Sequence, residues 1–212
     1  MLDRKYANQT LQKTADTLEG MGAKYFIDSG TLLSAYRDKD INIYDHDVDV
    51  RILPNEVPQE RTSELVKRLW DAGFYYIAQN MGDRAELICL VEIEKAITML
   101  DLKFAFQDGK YVWVYVWGCN SAIAREDPRV HCYPSRFFQK LETIELLGRE
   151  YPCPSPVEDY LVYHYGNNWR EFKERADQEE MTDYKWSSLY SPPCSMGIHE
   201  FELLRAGKIK RR

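Results

Sequence analysis

The chain has 212 residues with 34 acidic against 28 basic side chains, a net charge of -6, and is 44% hydrophobic and 29% charged. That is the composition of an ordinary globular protein long enough to bury a full core, and its acidic balance argues against a broad nucleic-acid surface, which would have to be basic. No stretch approaches the ~20 apolar residues of a membrane span, and the start Met1-Leu2-Asp3-Arg4-Lys5 lacks the apolar run of a signal peptide; the expectation is one domain over residues 1–212, cytoplasmic, acting on a soluble or membrane-surface partner.

In chain order, Tyr6 to Met21 places Leu11, Ala15 and Leu18 on one helical stripe and leads through Gly22 into an apolar strand at Tyr25, Phe26 and Ile27. Gly30 permits a tight turn, after which Thr31 to Arg37 reads as a short helix whose first amides suit a phosphate. Asp45 to Val50 reads as a strand continuing to Leu53, broken by Pro54 and Pro58. A helix is expected over Glu60 to Ala72, with Leu65 and Leu69 inward, ending near Gly73. Strands follow around Tyr75 to Ala78, Ala85 to Ile93, Ile97 to Phe106 and Tyr111 to Trp117, the last two joined by the hairpin signal Asp108-Gly109. A hairpin makes the later strands antiparallel, so the sheet is mixed, and neither a Gly-x-Gly-x-x-Gly nor a Walker loop is present. A second hairpin is expected between Phe137 to Leu147 and Glu150 to Cys153 about Gly148. Ser155-Pro156-Val157-Glu158 has the form of a capping box with proline at the first helical position, and Gly166 can close that helix. The run Glu171 to Arg175 and the Ser-Pro segment near Ser191 read as a helix or loop closing the site.

Chemistry concentrates in Tyr44-Asp45-His46-Asp47-Val48-Asp49-Val50. In an extended strand side chains alternate, so Asp45, Asp47 and Asp49 share a face and His46, Val48 and Val50 point away. Alternate α-carbons lie ~7 Å apart, a gap carboxylates can close onto divalent cations. Like charges so packed need a compensating cation or base; the alternative is a solvated acidic edge. In Met99 to Phe106, Asp101 and Lys103 alternate against Leu100, Leu102 and Phe104. A carboxylate there is a metal ligand, a base for an attacking hydroxyl, or a solvent-facing acid paired with a nearby lysine.

Gly30-Thr31-Leu32-Leu33-Ser34-Ala35-Tyr36-Arg37, followed by the aspartate run, resembles the signature of the LicD family of phosphotransferases, which includes phosphorylcholine transferases and the fukutin-type ribitol-phosphate transferases. The Tyr160-Leu161 helix ending at Tyr165-Gly166, with Trp169 after it, resembles a second family element, so the likeness runs over about residues 15 to 170. Here Asn42-Ile43-Tyr44 stands where many members carry proline and tryptophan, His46 stands for an aspartate and Ser34 for a glycine.

The resemblance implies an α/β (α+β) nucleotidyltransferase-like fold, a mixed sheet with flanking helices. It further implies Mg2+ or Mn2+ at Asp47, Asp49 and Asp101, with Asp45 assisting, and phosphates near Gly30 and Thr31. The reaction implied is transfer of a phospho-alcohol or sugar-phosphate group from a CDP-linked nucleotide-diphosphate donor to a hydroxyl of a glycan, a teichoic-acid-like polymer or another polyol. Two alternatives share those residues: nucleotidyl transfer releasing pyrophosphate, and a catalytically inactive nucleotide-binding module. Arg37 is either a phosphate contact or a brace for the aspartates. A choline group would call for an aromatic cage from Tyr36, Tyr44, Trp113 and Trp117; a polyol would use the polar Asp38 to Asn42 loop, and a polyol or sugar phosphate is the expectation adopted.

Tyr111, Trp113, Tyr115 and Trp117 share a strand face, as sheet packing or as a stacking surface. The five cysteines form no close pair, and their odd number argues against a disulfide framework; Cys119, His131 and Cys132 with Cys194 or His199 are zinc-type ligands without zinc-type spacing, so buried thiols are expected. The basic tail from Arg205 to Arg212 reads as a solvated end or a contact to an anionic surface.

Overall fold

The computed structural model describes residues 2–80, 86–94, 96–116, 129–171 and 195–208. Helix α1 (Arg4–Gly20) is capped by Asp3, whose carboxylate accepts from the Lys5 and Tyr6 amides, the arrangement expected of an N-cap aspartate. Its stripe Ala7, Leu11, Ala15 and Leu18 is completely buried. The chain then forms β1 (Tyr25–Ile27), α2 (Ser29–Arg37) and β2 (Asp47–Ile52). After a 3-10 turn at Gln59–Arg61 come α3 (Thr62–Asp71), β3 (Phe74–Asn80), β4 (Glu86–Ile93) and β5 (Ala96–Phe104).

These five strands make one mixed sheet in the order β1-β2-β5-β4-β3. Every neighbouring pair is antiparallel except β2 and β5, which run parallel with Asp47 beside Met99, Asp49 beside Asp101 and Arg51 beside Lys103. Val48, Val50, Leu100 and Leu102 on one face are fully buried, and α1 packs on β2 and β5 with α3 alongside. The other face of the same two strands carries Asp47, Asp49, Arg51, Asp101 and Lys103. The mixed sheet with flanking helices is therefore the observed architecture.

The strand expected to run from Ile97 to Phe106 is divided. It leaves the first sheet at Ala105, whose amide bonds the Ile52 carbonyl, and β6 (Phe106–Asp108) joins β7 (Tyr111–Val116), β8 (Arg129–Pro134) and β11 (Ser195–Gly197) in a second sheet, order β11-β8-β7-β6. The Asp108-Gly109 hairpin forms, with Asp108 opposite Tyr111 and Gly109 at φ 55. A 3-10 turn at Ser135–Phe138 precedes the hairpin β9 (Glu142–Leu146) and β10 (Arg149–Cys153), in which Gly148 turns at φ 83.

Helix α4 (Val157–Tyr165) ends at Gly166, φ 91, as its glycine foretells. Its start differs from the capping box: Pro156 is the N-cap, and the Ser155 hydroxyl donates to Glu142 on β9 at 2.6 Å. The hydroxyl therefore ties the helix to the hairpin and leaves the cap to proline. Helix α5 (Ile198–Arg205) covers the second sheet, where Phe201 and Leu204 close a small core with Val130 and Cys132. Among the described residues no helix is long and apolar enough to cross a membrane.

Candidate active site

The acidic run is extended only from Asp47; Asp45 lies in the preceding turn, its amide bonded to the Asn42 carbonyl. The strand expected to begin at Asp45 thus begins two residues later, and the turn delivers Asp45 to the cluster. Asp45, Asp47 and Asp49 each offer a carboxylate oxygen within 4.8 Å of the other two, while His46 is exposed. Gly30 makes that approach possible, because a Cβ there would lie 2.2 Å from Asp45 Oδ2.

Helix α2 holds the cluster by two bonds. The Gly30 amide donates to Asp49 Oδ2 at 3.1 Å, and the buried Thr31 hydroxyl accepts from the Asp49 amide at 2.9 Å. The groups expected to face a phosphate are here directed at Asp49. Arg37, seven residues along the helix from Gly30 and so roughly 10 Å away along its axis, forms a two-pronged pair with Asp38 at 2.8 and 2.7 Å.

The brace for the aspartates is Arg51. Only 3% exposed, it reaches Asp28 at 3.1 Å, Asp49 Oδ1 at 3.2 Å and Asp101 Oδ1 at 3.7 Å, and donates to the Val50 and Asp101 carbonyls at 3.2 and 3.1 Å. The sequence held the signal: the alternation that aligns Asp47 with Asp49 places Arg51 next on the same face. Asp101 sits directly beside Asp49 across the parallel pair, and its Oδ2 is ion-paired with Lys103. It does pair with the nearby lysine, but it is buried and not solvent-facing as that alternative had it.

Behind Arg51 lies a second polar layer. Asp28, 1% exposed, also accepts from Tyr160 on α4 at 2.6 Å. Tyr133 on β8 is hydrogen-bonded to His164 at 3.1 Å and to His131 at 3.3 Å. Asp28, Tyr133 and His164 are functional-site neighbours that no local sequence pattern marks.

Electrostatics follow from this crowding. Burial first, then the charges of Asp45 and Asp101, push Asp47 up to about 7 against the opposing pull of Lys103 and Arg51. Asp49 is raised well above the usual carboxylate range by burial and by Asp47, although Arg51 opposes it. Asp28 moves the other way: burial opposes its ionisation, but Arg51 and the Tyr160 hydrogen bond together hold its pKa below the ordinary value. Burial also lowers His164 to about 4, keeping it neutral. Three oxygen-donor carboxylates this close together fit a hard divalent cation such as Mg2+ or Mn2+.

The other sequence candidates are placed elsewhere. Trp113 stacks on Phe106 at 4.7 Å and meets Phe201 at 5.0 Å, so this aromatic face is packing under α5; Trp117 lies outside the described residues. Tyr36 meets Trp169 at 5.6 Å and Tyr44 is exposed next to Asp45, so of the aromatics proposed for a choline cage Trp113 is engaged elsewhere, under α5. Cys89, Cys132 and Cys153 are buried free thiols. His131 and Cys132 are neighbours on one strand with opposite faces, and Cys119 and Cys194 lie outside the described residues. Among the described residues, Asp45, Asp47 and Asp49 are the group with metal-ligand geometry. A depression of about 460 Å³ lies at the far end of β2, beside Leu53, Pro54 and Gln107, away from these acids.

Residues 22–156 match the family model described as LicD/FKTN/FKRP, nucleotidyltransferase domain. Similar curated proteins are the ribitol-5-phosphate transferases FKTN of Macaca fascicularis (26% identical over 170 residues, 80% of this chain and 34% of that protein) and of Homo sapiens (26% over 167 residues, 79% and 34%). The chain therefore spans about a third of the length of these relatives. Among solved structures, that of the antibiotic-resistance factor ANT(2'')-Ia in solution aligns with a TM-score of 0.46 at 16% identity, covering 97% of this chain and 92% of that one. Its complex with adenylyl-2''-tobramycin gives 0.41 at 17%, covering 94% and 95%. With the family model matching well over half of its length, the chain belongs to the LicD/FKTN/FKRP nucleotidyltransferase-domain family.

Proposed function

We propose that this protein is a metal-dependent phosphotransferase that moves a phospho-alcohol, most simply a polyol phosphate, from a CDP-linked donor to a hydroxyl of a glycan or other polyol acceptor. The observation that carries this reading is the convergence of Asp45, Asp47 and Asp49 within 4.8 Å at the start of α2. Asp47 and Asp49, with Asp45, would hold Mg2+ or Mn2+, which when bound supplies neutralising charge to the diphosphate oxygens.

The chain's own groups do the rest. Gly30 and Thr31 fix Asp49, and Arg37, oriented by Asp38, supplies a cationic contact further along the donor. Asp101 accepts the hydrogen bond of the attacking hydroxyl and takes its proton as the new P–O bond forms and the bond to the departing CMP breaks. Lys103 and Arg51 flank this carboxylate and hold it in place. The polyol is favoured by the similarity to ribitol-5-phosphate transferases and by the packing of Trp113 against Phe106 and Phe201, which takes it out of a choline cage.

Purified protein incubated with CDP-ribitol, CDP-glycerol, CDP-choline and UDP-sugars tests the reading. Turnover of a CDP-polyol with Mg2+ or Mn2+, lost in chelator and lowered ~100-fold or more in Asp47→Asn and Asp49→Asn, is expected, because support of charge at the transferring phosphate is worth several kcal/mol. Pyrophosphate release from CTP or ATP would identify nucleotidyl transfer, and full turnover in chelator would remove the metal.

A further inference from the structure

Two-metal phosphoryl-transfer sites place two ions about 4 Å apart, bridged by shared carboxylates. In this chain the carboxylates positioned for such a bridge are Asp49 and Asp101, side by side on β2 and β5. The space between them is taken by Arg51, with Nη2 3.2 Å from Asp49 Oδ1 and Nη1 3.7 Å from Asp101 Oδ1. The other oxygen of Asp101 is ion-paired with Lys103.

Arg51 is built in. Its guanidinium is bound to two backbone carbonyls and to Asp28 and is buried at 3% exposure, and a guanidinium does not lose its proton in a protein. Displacing it would leave Asp28, itself 1% exposed, as an unpaired buried charge, a costly state. Arg51 and Lys103 together carry two positive charges, the charge of one divalent ion. Asp49 also converges with Asp45 and Asp47, each offering a carboxylate oxygen within 4.8 Å of the other two, and its Oδ1 is the oxygen paired with Arg51.

We propose that the site binds one divalent cation, at Asp45, Asp47 and Asp49, and that Arg51 with Lys103 occupies the place of a second between Asp49 and Asp101. This rests on the reading of the three aspartates as a metal centre, and it makes Arg51 a positioning residue that keeps Asp49 and Asp101 in place before the metal arrives.

Equilibrium dialysis against MnCl2 with low-temperature EPR, first alone and then with CDP present, counts the ions without recourse to turnover. One Mn2+ per chain with an isolated-ion spectrum is expected in both conditions, falling to none in Asp47→Asn. Two ions with an exchange-coupled spectrum in the wild-type protein would overturn the proposal while leaving the metal centre standing; no bound ion would overturn the metal centre itself. In Arg51→Gln the vacated gap should admit a second Mn2+, doubling the count, and a count still at one would remove Arg51 from its assigned role. Should Arg51→Gln not fold, the wild-type count still decides. Lys103→Met, which leaves the guanidinium in place, should bind one ion, and two ions there would mean that Lys103 alone holds the second place.

Discussion

At the scale of single residues, Gly30 couples helix and metal site through the absence of one carbon. It is the second residue of α2 and its φ is not positive, so alanine there suits the backbone and, in the first turn, should raise helix stability by less than about 1 kcal/mol. The new Cβ would meet Asp45 Oδ2 at 2.2 Å, and the turn-borne carboxylate would have to move out. Gly30→Ala is expected to keep or raise the melting temperature while weakening Mn2+ binding about tenfold or more, read by parallel calorimetry and metal titration. Protonation gives a second test. Asp47 has a folded-state pKa of about 7 against 3.8 for the ordinary group, so between these values the folded metal-free protein binds more protons than the unfolded chain and loses stability as pH rises. His164, lowered to about 4 from 6.5, acts oppositely: the unfolded chain binds the extra proton, and stability is lost as pH falls from 6.5 towards 4. Only the carboxylate part responds to metal, because a bound cation needs ionised ligands. The melting temperature in chelator should therefore fall by about 5 °C or more, relative to the Mn2+-loaded protein, as pH is raised from 5 to 8.

At the scale of elements, the site is held by two helices acting on one arginine. Helix α2 presents Asp28, Ser29 and Gly30 at its start; Ser29 adopts a φ of 46 and accepts from Arg51 at 3.2 Å. Such a backbone value in a non-glycine residue carries strain and has a partner here at the site. Helix α4 reaches the same place through the Tyr160 hydroxyl, 2.6 Å from Asp28. Removing it leaves a buried carboxylate short of a donor, a loss of about 1–3 kcal/mol, and frees Asp28 to shift with Arg51. Tyr160→Phe should lower both melting temperature and turnover, turnover by about tenfold, with donor KM changed less than kcat. An effect on stability alone would make the hydroxyl a structural anchor without influence on the site.

At the scale of the whole molecule, the apolar interior is in two parts. The larger fills the space around α1, α3, α4 and the five-stranded sheet, and the smaller lies between the second sheet and α5, where Phe201 is fully buried against Trp113. Truncating a buried phenylalanine costs about 3–5 kcal/mol. Phe201→Ala should raise hydrogen exchange in β7 and β8 while Mn2+ affinity stays within about twofold, because the acids rest on β2 and the turn before it. Equal loss of protection across β2 and β5 would show the two parts to unfold as one.

Local pattern was sufficient for several of these features. The stripe of α1, the two hairpins at Gly109 and Gly148, the glycine end of α4 and the shared face of Asp47 and Asp49 are all short-range consequences of 3.6- or 2-residue periodicity and of glycine's freedom at positive φ. The mixed sheet was expected from the first hairpin, but that hairpin lies in the second, antiparallel sheet, and the five-stranded sheet is mixed because β2 and β5 run parallel. Other features needed the packed molecule. The break at Ala105 depends on a bond to Ile52, and the loss of the capping box depends on a competing acceptor at Glu142. Arg51 was on the right face in the sequence, but its role depends on Asp28, 23 residues earlier, and on Asp101, 50 residues later. Hydrogen bonds and ion pairs between distant segments leave no periodic trace, so the chain by itself determined which acids lie on the face, and the tertiary structure decided which cations neutralise them.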